Sequence, residues 1–291
     1  MSKVGIVVLN YNDYKETFDF IEQIKNIKTL DEIVIVDNAS TDNSFKKLSK
    51  FKNNKISIIQ TESNKGYAYG NNFGIKYLGD KVDYIIISNP DITVNDKTIK
   101  KLKEDMDKDE TISLIAPVIN QLGEKIRGWR LPNYKDELLS NINYVQRKAK
   151  KNLYYEDNKY VDELTRVDVV SGCFFMIRRD VLNMIGNFDD STFLYYEENI
   201  LGMKLKNINR KTYIDNKVSV THNLSKSVDK SFNSINKYKM LKDSQKYYVK
   251  YYLKVNIFKI ILLRILYRIS LVISYINIFF KRLRRSKWKT L

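Results

Sequence analysis

The chain has 291 residues, 43% of them hydrophobic, with only three prolines, so it can bury a sizeable core and is not a disordered polymer. One cysteine, Cys173, excludes an intramolecular disulfide and any cysteine-based zinc cluster. A net charge of +17 points to an anionic partner, nucleic acid or membrane, and residues 251–291 hold ten Lys or Arg and no acid.

The opening Met-Ser-Lys leads into an apolar run at residues 4–9, which Asn10 interrupts. That run is too short and too polar-flanked for a signal peptide, so it reads as a first strand and the protein is expected in the cytoplasm. Tyr14, Phe18, Ile21 and Ile24 then recur at helical spacing across residues 13–27. Residues 33–36 form a second strand, ending in Asp37-Asn38 and a polar loop, with a short helix over 45–51. Residues 56–60 are a third strand, 66–78 a helix entered through a loop rich in Gly and Asn, and 84–88 a fourth strand. A helix over 99–106 and a strand over 112–118 follow. This alternation predicts an α/β fold with a doubly wound, mostly parallel sheet flanked by helices.

Residues 120–166 show no clear periodicity and are read as a variable insertion. Beyond them come a strand over 167–178 containing Gly172, a short helix over 180–185, a helix over 193–206 that includes Glu197-Glu198, and an alternating strand over 212–222 ending on His222. The tail from residue 235 is helical by composition. Residues 257–280 are strongly apolar but carry Lys259, Arg264 and Arg268, and the longest uncharged stretch, 269–280, is short of the ~20 residues a spanning helix needs. With tyrosines before it and a basic flank after it, this segment reads as an amphipathic helix lying on an anionic membrane. Nucleic acid is disfavoured, because the cations interleave with Ile and Leu. The expected division is a catalytic domain over 1–230, with halves 1–118 and 119–230, and a basic tail over 231–291.

Chemistry is expected at the strand ends, which share one rim in such a sheet. The clusters there are Asn10-Tyr11-Asn12, Asp37-Asn38, Asn64-Lys65-Gly66 and Asn89-Pro90-Asp91. Asp37 is an acceptor suited to a base or ribose, and the 64–72 loop offers glycines, amides and a lysine to ribose or phosphate. Asp91, at the tip of an apolar strand, suits a hard divalent cation that bridges phosphates. Adjacent helical side chains diverge by about 100°, so one of Glu197 and Glu198 is expected to face the crevice. His222 reads as either a metal ligand or a satisfied structural histidine.

These motifs, in this order over residues 3–225, resemble a family 2 glycosyltransferase of the GT-A fold, in the branch of rhamnosyltransferases and of capsule or O-antigen enzymes. They are Val7-Val8-Leu9-Asn10-Tyr11-Asn12, Ile35-Val36-Asp37-Asn38, Asn64-Lys65-Gly66 with Gly70-Asn71-Asn72, Asn89-Pro90-Asp91, Ser171-Gly172-Cys173, Tyr195-Tyr196-Glu197-Glu198 and His222. The resemblance implies inverting transfer from a UDP- or dTDP-sugar, dTDP-rhamnose among them, to a lipid-linked saccharide at the inner face of a bacterial cell membrane. It implies Asn10, Tyr11, Asp37, Asn38, Asn64, Lys65, Gly66, Asn71 and Asn89 for the nucleotide-sugar, and Asp91 with His222 for Mg²⁺ or Mn²⁺. Gly172, Cys173 and Glu197 would frame the acceptor, and Glu198 would be the base. Two positions depart from the family pattern: one acid stands at 91 where many members have Asp-x-Asp, and Ile200 replaces a later acid. Two rival readings are a nucleotidyltransferase and a non-catalytic basic adaptor.

Overall fold

A computed structural model describes residues 1–142, 151–224 and 234–287. By contacts the chain forms two compact units, one of residues 1–131 with 155–244 and one of 132–154 with 245–291. The expected boundary at residue 230 lies outside the described residues.

The first unit is built on one ten-stranded sheet. Its strands are β1 (Val4–Asn10), β2 (Glu32–Asp37), β3 (Ile56–Gln60), β4 (Tyr84–Ser88), β5 (Ile92–Thr93), β6 (Ile112–Gln121), β7 (Glu124–Ile126), β8 (Leu164–Val167), β9 (Phe174–Arg178) and β10 (Lys211–His222). The path is β3-β2-β1-β4-β9-β6-β10-β5, with β7 on β6 and β8 on β10. Strands β1, β2, β3, β4, β6 and β10 run one way, and β5, β7, β8 and β9 run against them. The fold is therefore a mostly parallel α/β sheet flanked by helices.

Successive strand residues point to opposite faces, and each face has its own core. On one side Val4, Ile6 and Val8 of β1 meet Phe20, Ile21 and Ile24 of the Tyr14–Ile24 helix and Ile99, Leu102 and Met106 of the Asp96–Lys108 helix. On the other, Val7, Val34 and Val36 meet Ile75 and Leu78 of the Tyr67–Leu78 helix and Leu201 and Leu205 of the Glu197–Asn207 helix. Apolar runs such as residues 84–88 are thus buried on both faces, as strands covered by helices on each side must be.

Three expectations change. The strand over 167–178 is two strands, β8 and β9, separated by a loop at 168–173. The loop lets the chain pair with β10 first and then enter between β4 and β6. The helix expected from 193 begins at Glu197, because Tyr195 and Tyr196 sit at φ 75° and 71°, a left-handed backbone that no helix continues through. The 120–166 insertion contains β7, the Tyr134–Leu139 helix and β8 among its described residues.

The sheet also curls. Strands β4 and β5 are separated by Asn89, Pro90 and Asp91 alone, yet β9, β6 and β10 lie between them in the sheet. A path whose ends are joined by so short a link has to bend round on itself. That bend sets the site.

In the second unit, Gln245 of the Ser234–Tyr251 helix is buried, and its amide donates to the Glu137 carboxylate at 2.6 Å and to Ser140 at 2.6 Å. The Tyr134 hydroxyl donates to the Lys259 carbonyl at 2.9 Å, which ties the Tyr134–Leu139 helix to the long Ile257–Lys287 helix. Among the described residues, no helix is long and apolar enough to cross a membrane.

Candidate active site

Parallel register lines up three strand tips: Asn10 pairs with Asp37, and Asp37 with Gln60. Asp37 is fully buried. One of its oxygens accepts from Asn10 Nδ2 at 2.8 Å, and the other from the Ser40 backbone N–H at 2.9 Å and Gln60 Nε2 at 3.0 Å. A buried carboxylate needs such donors. These three donors tie Asp37 to the neighbouring strand tips and fix the loop that follows β2. Gln60, absent from the sequence-based candidates, belongs to this network, and its place at a strand end was the signal available.

Asn38, also buried, carries the network onward. Its amide donates to Asn64 Oδ1 at 3.0 Å and the Gly66 carbonyl at 3.1 Å, and its carbonyl accepts from Thr61 Oγ1 at 3.0 Å. Gly66 sits at φ 106°, and a Cβ there would lie 2.1 Å from the Phe193 carbonyl oxygen. No other residue fits, and the next backbone N–H, of Tyr67, donates to that same carbonyl at 2.9 Å. Lys65 is exposed, its ammonium 5.0 Å from the centre of the Tyr69 ring, and Tyr11 is half-buried. Asn71 is fully buried: its amide donates to the Tyr67 carbonyl at 3.0 Å, one turn back in its helix, while its Oδ1 has no hydrogen-bond partner.

The second half of the site is assembled by the curl. β5 pairs with the end of β10, His222 opposite Ile92. His222 Nε2 comes to 3.2 Å from Asp91 Oδ1, and Nδ1 lies 2.7 Å from Gln121 Oε1. Burial opposes charge on the ring, but the Asp91 carboxylate and Cys173 outweigh it and push the imidazole up to about 10. The loop between β8 and β9 then joins this corner to the glutamates. The Asn89 N–H donates to the Cys173 carbonyl at 2.9 Å, the Gly172 N–H donates to Glu198 Oε1 at 3.2 Å, and the Tyr67 hydroxyl donates to the Gly172 carbonyl at 2.8 Å. A Cβ on Gly172 would stand 3.0 Å from Glu198 Oε1, so the absence of a side chain lets the carboxylate lie against the backbone. Burial, reinforced by Glu198 and Glu197, holds the Tyr67 phenol well above its ordinary pKa and keeps it a donor.

Both glutamates border a small, largely apolar cavity beside the first turn of their helix, together with Tyr67, Asp168, Gly172 and Phe175. Glu197 is buried, and its Oε1 has no hydrogen-bond partner. Burial and the adjacent Glu198 charge push its carboxyl up to about 8. A raised folded pKa means stability that is full below the unfolded value, near 4.5, and lost as pH climbs toward 8. Glu197→Gln, which mimics the protonated acid, should therefore match the parent in denaturant unfolding near pH 4.5 and exceed it at pH 8 by about 2 kcal/mol or more. An increment that does not change with pH would rule out this account.

Trp129, in the span read as an insertion, is a further member. Its backbone pairs with Val169, and its indole N–H donates to Asn199 Oδ1 at 3.0 Å, beside the glutamates. Leu131 N–H donates to Asp168 at 3.0 Å. Ile200, where the family pattern has an acid, is buried in the core, so packing fills that position.

A divalent cation is what this fold family implies. Among the described residues no three His, Cys, Asp or Glu gather as a ready ligand set. Asp91 and His222 fit the cation nonetheless, the ring serving as a ligand once Nε2 gives up the proton that the Asp91 carboxylate holds on it. Mg²⁺ and Mn²⁺ at phosphates take one or two protein groups and fill the rest with water and phosphate oxygens. Gln121 on Nδ1 also fixes the ring that would present Nε2.

Several known proteins are similar to this chain. A low-salt glycan biosynthesis hexosyltransferase of Haloferax volcanii, Agl10, is 27% identical over 201 residues, 68% of this chain and 60% of that protein. A GalNAc-T7 structure solved with UDP, GalNAc and Mn²⁺ has a TM-score of 0.60 at 15% identity, over 76% of this chain and 44% of the other. The mannosyltransferase PcManGT of Pyrobaculum calidifontis, solved with GDP-Man and Mn²⁺, scores 0.56 at 14%, over 84% and 63%. S. aureus TarS 1-349 with UDP-GlcNAc scores 0.59 at 14%, over 90% and 70%. The chain thus spans about 60% of the curated relative's length, and the solved structures speak to the fold alone. Residues 5–186, more than half of the chain, match the Glycosyl transferase family 2 profile, and the chain belongs to that family.

Proposed function

We propose that this protein is an inverting glycosyltransferase that moves a sugar from a nucleoside diphosphate donor to a hydroxyl of a lipid-linked glycan, in surface polysaccharide synthesis at the cytoplasmic face of a membrane. One observation carries the reading. The loop at 171–173 is hydrogen-bonded on one side to the Asp91 turn, through Asn89, and on the other to Glu198. An acid suited to the diphosphate and an acid suited to a hydroxyl therefore share one short frame.

In the mechanism, the loops built on Asp37, Asn38, Asn64 and Gly66 seat the nucleotide. Asp91 and His222 would hold Mg²⁺ or Mn²⁺, which supplies charge neutralisation on the leaving diphosphate. Glu198 accepts the proton of the acceptor hydroxyl as that oxygen attacks the anomeric carbon from the face opposite the leaving group. Gly172 positions the Glu198 carboxylate, and Glu197, protonated near neutral pH, borders the acceptor side without adding a second charge. The solved structures similar in fold hold UDP, UDP-GlcNAc and GDP-Man, which supports a nucleoside diphosphate donor without choosing the sugar. The relative from H. volcanii supports a hexose. The single acid at Asp91 keeps dTDP-rhamnose among the candidates.

The test is a panel of UDP-, dTDP- and GDP-sugars incubated with the full chain and Mg²⁺ or Mn²⁺. The expected outcome is release of free nucleoside diphosphate from one base class. Release of pyrophosphate would favour the nucleotidyltransferase. Binding of no nucleoside diphosphate in calorimetry would favour the adaptor.

A further inference from the structure

We infer that the Ile257–Lys287 helix docks in plane on an anionic lipid bilayer through the apolar face it exposes, using none of the residues assigned to the catalytic frame. The helix has two unlike sides. Ile260, Leu263 and Ser270 are buried, at 6%, 2% and 2% exposure. Away from them, Phe258 is 78% exposed, Ile265 50%, Ile269 51% and Val272 58%, and Ile261, Leu262, Ile273 and Ile276 continue the same stripe. At the helical period these exposed apolar side chains cover an arc of roughly 120°, opposite the buried residues. A stripe of this length is more than a soluble monomer ordinarily leaves in water.

The charges choose the occupant. On the same helical wheel, exposed Arg264 and Arg268 border the arc on one side and exposed Lys259 on the other. Cations flanking an apolar face can reach headgroup phosphates while the face enters the acyl boundary. The span 251–291 contains ten cations and no acid, so pairing this face with a second copy would set like charges against each other at both borders. Nucleic acid would meet an apolar surface between the cations. A spanning role is excluded by the charges within the apolar stretch. An anionic bilayer satisfies both the stripe and its borders.

The experiment is co-sedimentation of the full chain with vesicles of phosphatidylcholine alone and of phosphatidylcholine with roughly a third phosphatidylglycerol, at low and high salt. The wild type should bind the anionic vesicles at least about tenfold more tightly, with the preference shrinking in salt. The double variant Ile265→Glu/Ile269→Glu places charge at half-exposed positions and should lose about tenfold or more of that binding while keeping its Tm and its release of nucleoside diphosphate. If that variant misfolds, Phe258→Glu, at the most exposed site, is read in the same way. Unchanged binding by a folded variant overturns the inference, as does a wild type that binds neither vesicle. A lipid-free dimer that the same substitutions dissolve overturns it too, since a second copy would then be the occupant.

Discussion

Glu198→Gln is expected to lower sugar transfer by roughly two orders of magnitude or more, with little change in donor affinity or Tm. The reasoning starts from the 3.2 Å hydrogen bond that Glu198 Oε1 accepts from the Gly172 N–H. A glutamine keeps a carbonyl oxygen in that place, so the frame of Gly172, Tyr67 and the helix start survives. What disappears is the capacity to take a proton from the attacking hydroxyl. The variant also removes the neighbouring charge that helps raise the Glu197 carboxyl, so Glu197 should titrate at lower pH in it. Product formation and nucleoside diphosphate release would be measured under saturating donor. Near-normal turnover in a folded variant would exclude Glu198 as the base and leave Glu197, its neighbour in the cavity, to be tried by the same substitution.

Asp91→Ala is expected to act on the other half of the reaction. The carboxylate is 5% exposed and lies at a turn fixed on both sides, by Pro90 before it and by its own carbonyl, which accepts from the Asn223 N–H at 2.8 Å. Removing the side chain leaves those backbone constraints in place and takes away the anionic oxygen best suited to a diphosphate-bound cation. Metal neutralisation of a leaving group contributes several kcal/mol, so kcat/KM should fall by about two to three orders of magnitude. Calorimetry of donor binding with and without Mn²⁺ gives a second readout: the cation should tighten binding to the parent and no longer to the variant. Full activity of the variant, or indifference of the parent to chelation, would remove Asp91 from this role.

Much of the site could be read along the chain because parallel strands end where ligands bind. Asn10, Asp37, Asn64, Asn89 and Asp91 each close or closely follow an apolar run, and a break in burial is a local signal. The strands at 56–60 and 84–88 match the expected bounds for the same reason, since each apolar run gives way to a polar residue, Gln60 or Ser88, at the rim. What the residues did there was less accessible. Asp37 and Asn71 have the composition of ligand groups, and both are fully buried, with hydrogen bonds to a loop and to a helix turn that the chain alone does not reveal. Side-chain chemistry alone does not say whether a donor meets a substrate or a neighbour.

The amino-acid pattern by itself determined the alternation of strand and helix, the polar strand tips, the family and the acid-free, amphipathic character of residues 251–291, because these depend on periodicity and composition within a few residues. Only the tertiary structure decided that β9 runs antiparallel between β4 and β6, that the curl carries His222 to Asp91, that Tyr195 and Tyr196 delay the helix, and that Trp129 reaches Asn199. Those outcomes rest on which distant strands pair and how a short link between β4 and β5 forces the sheet to close. No window of local sequence contains that closure.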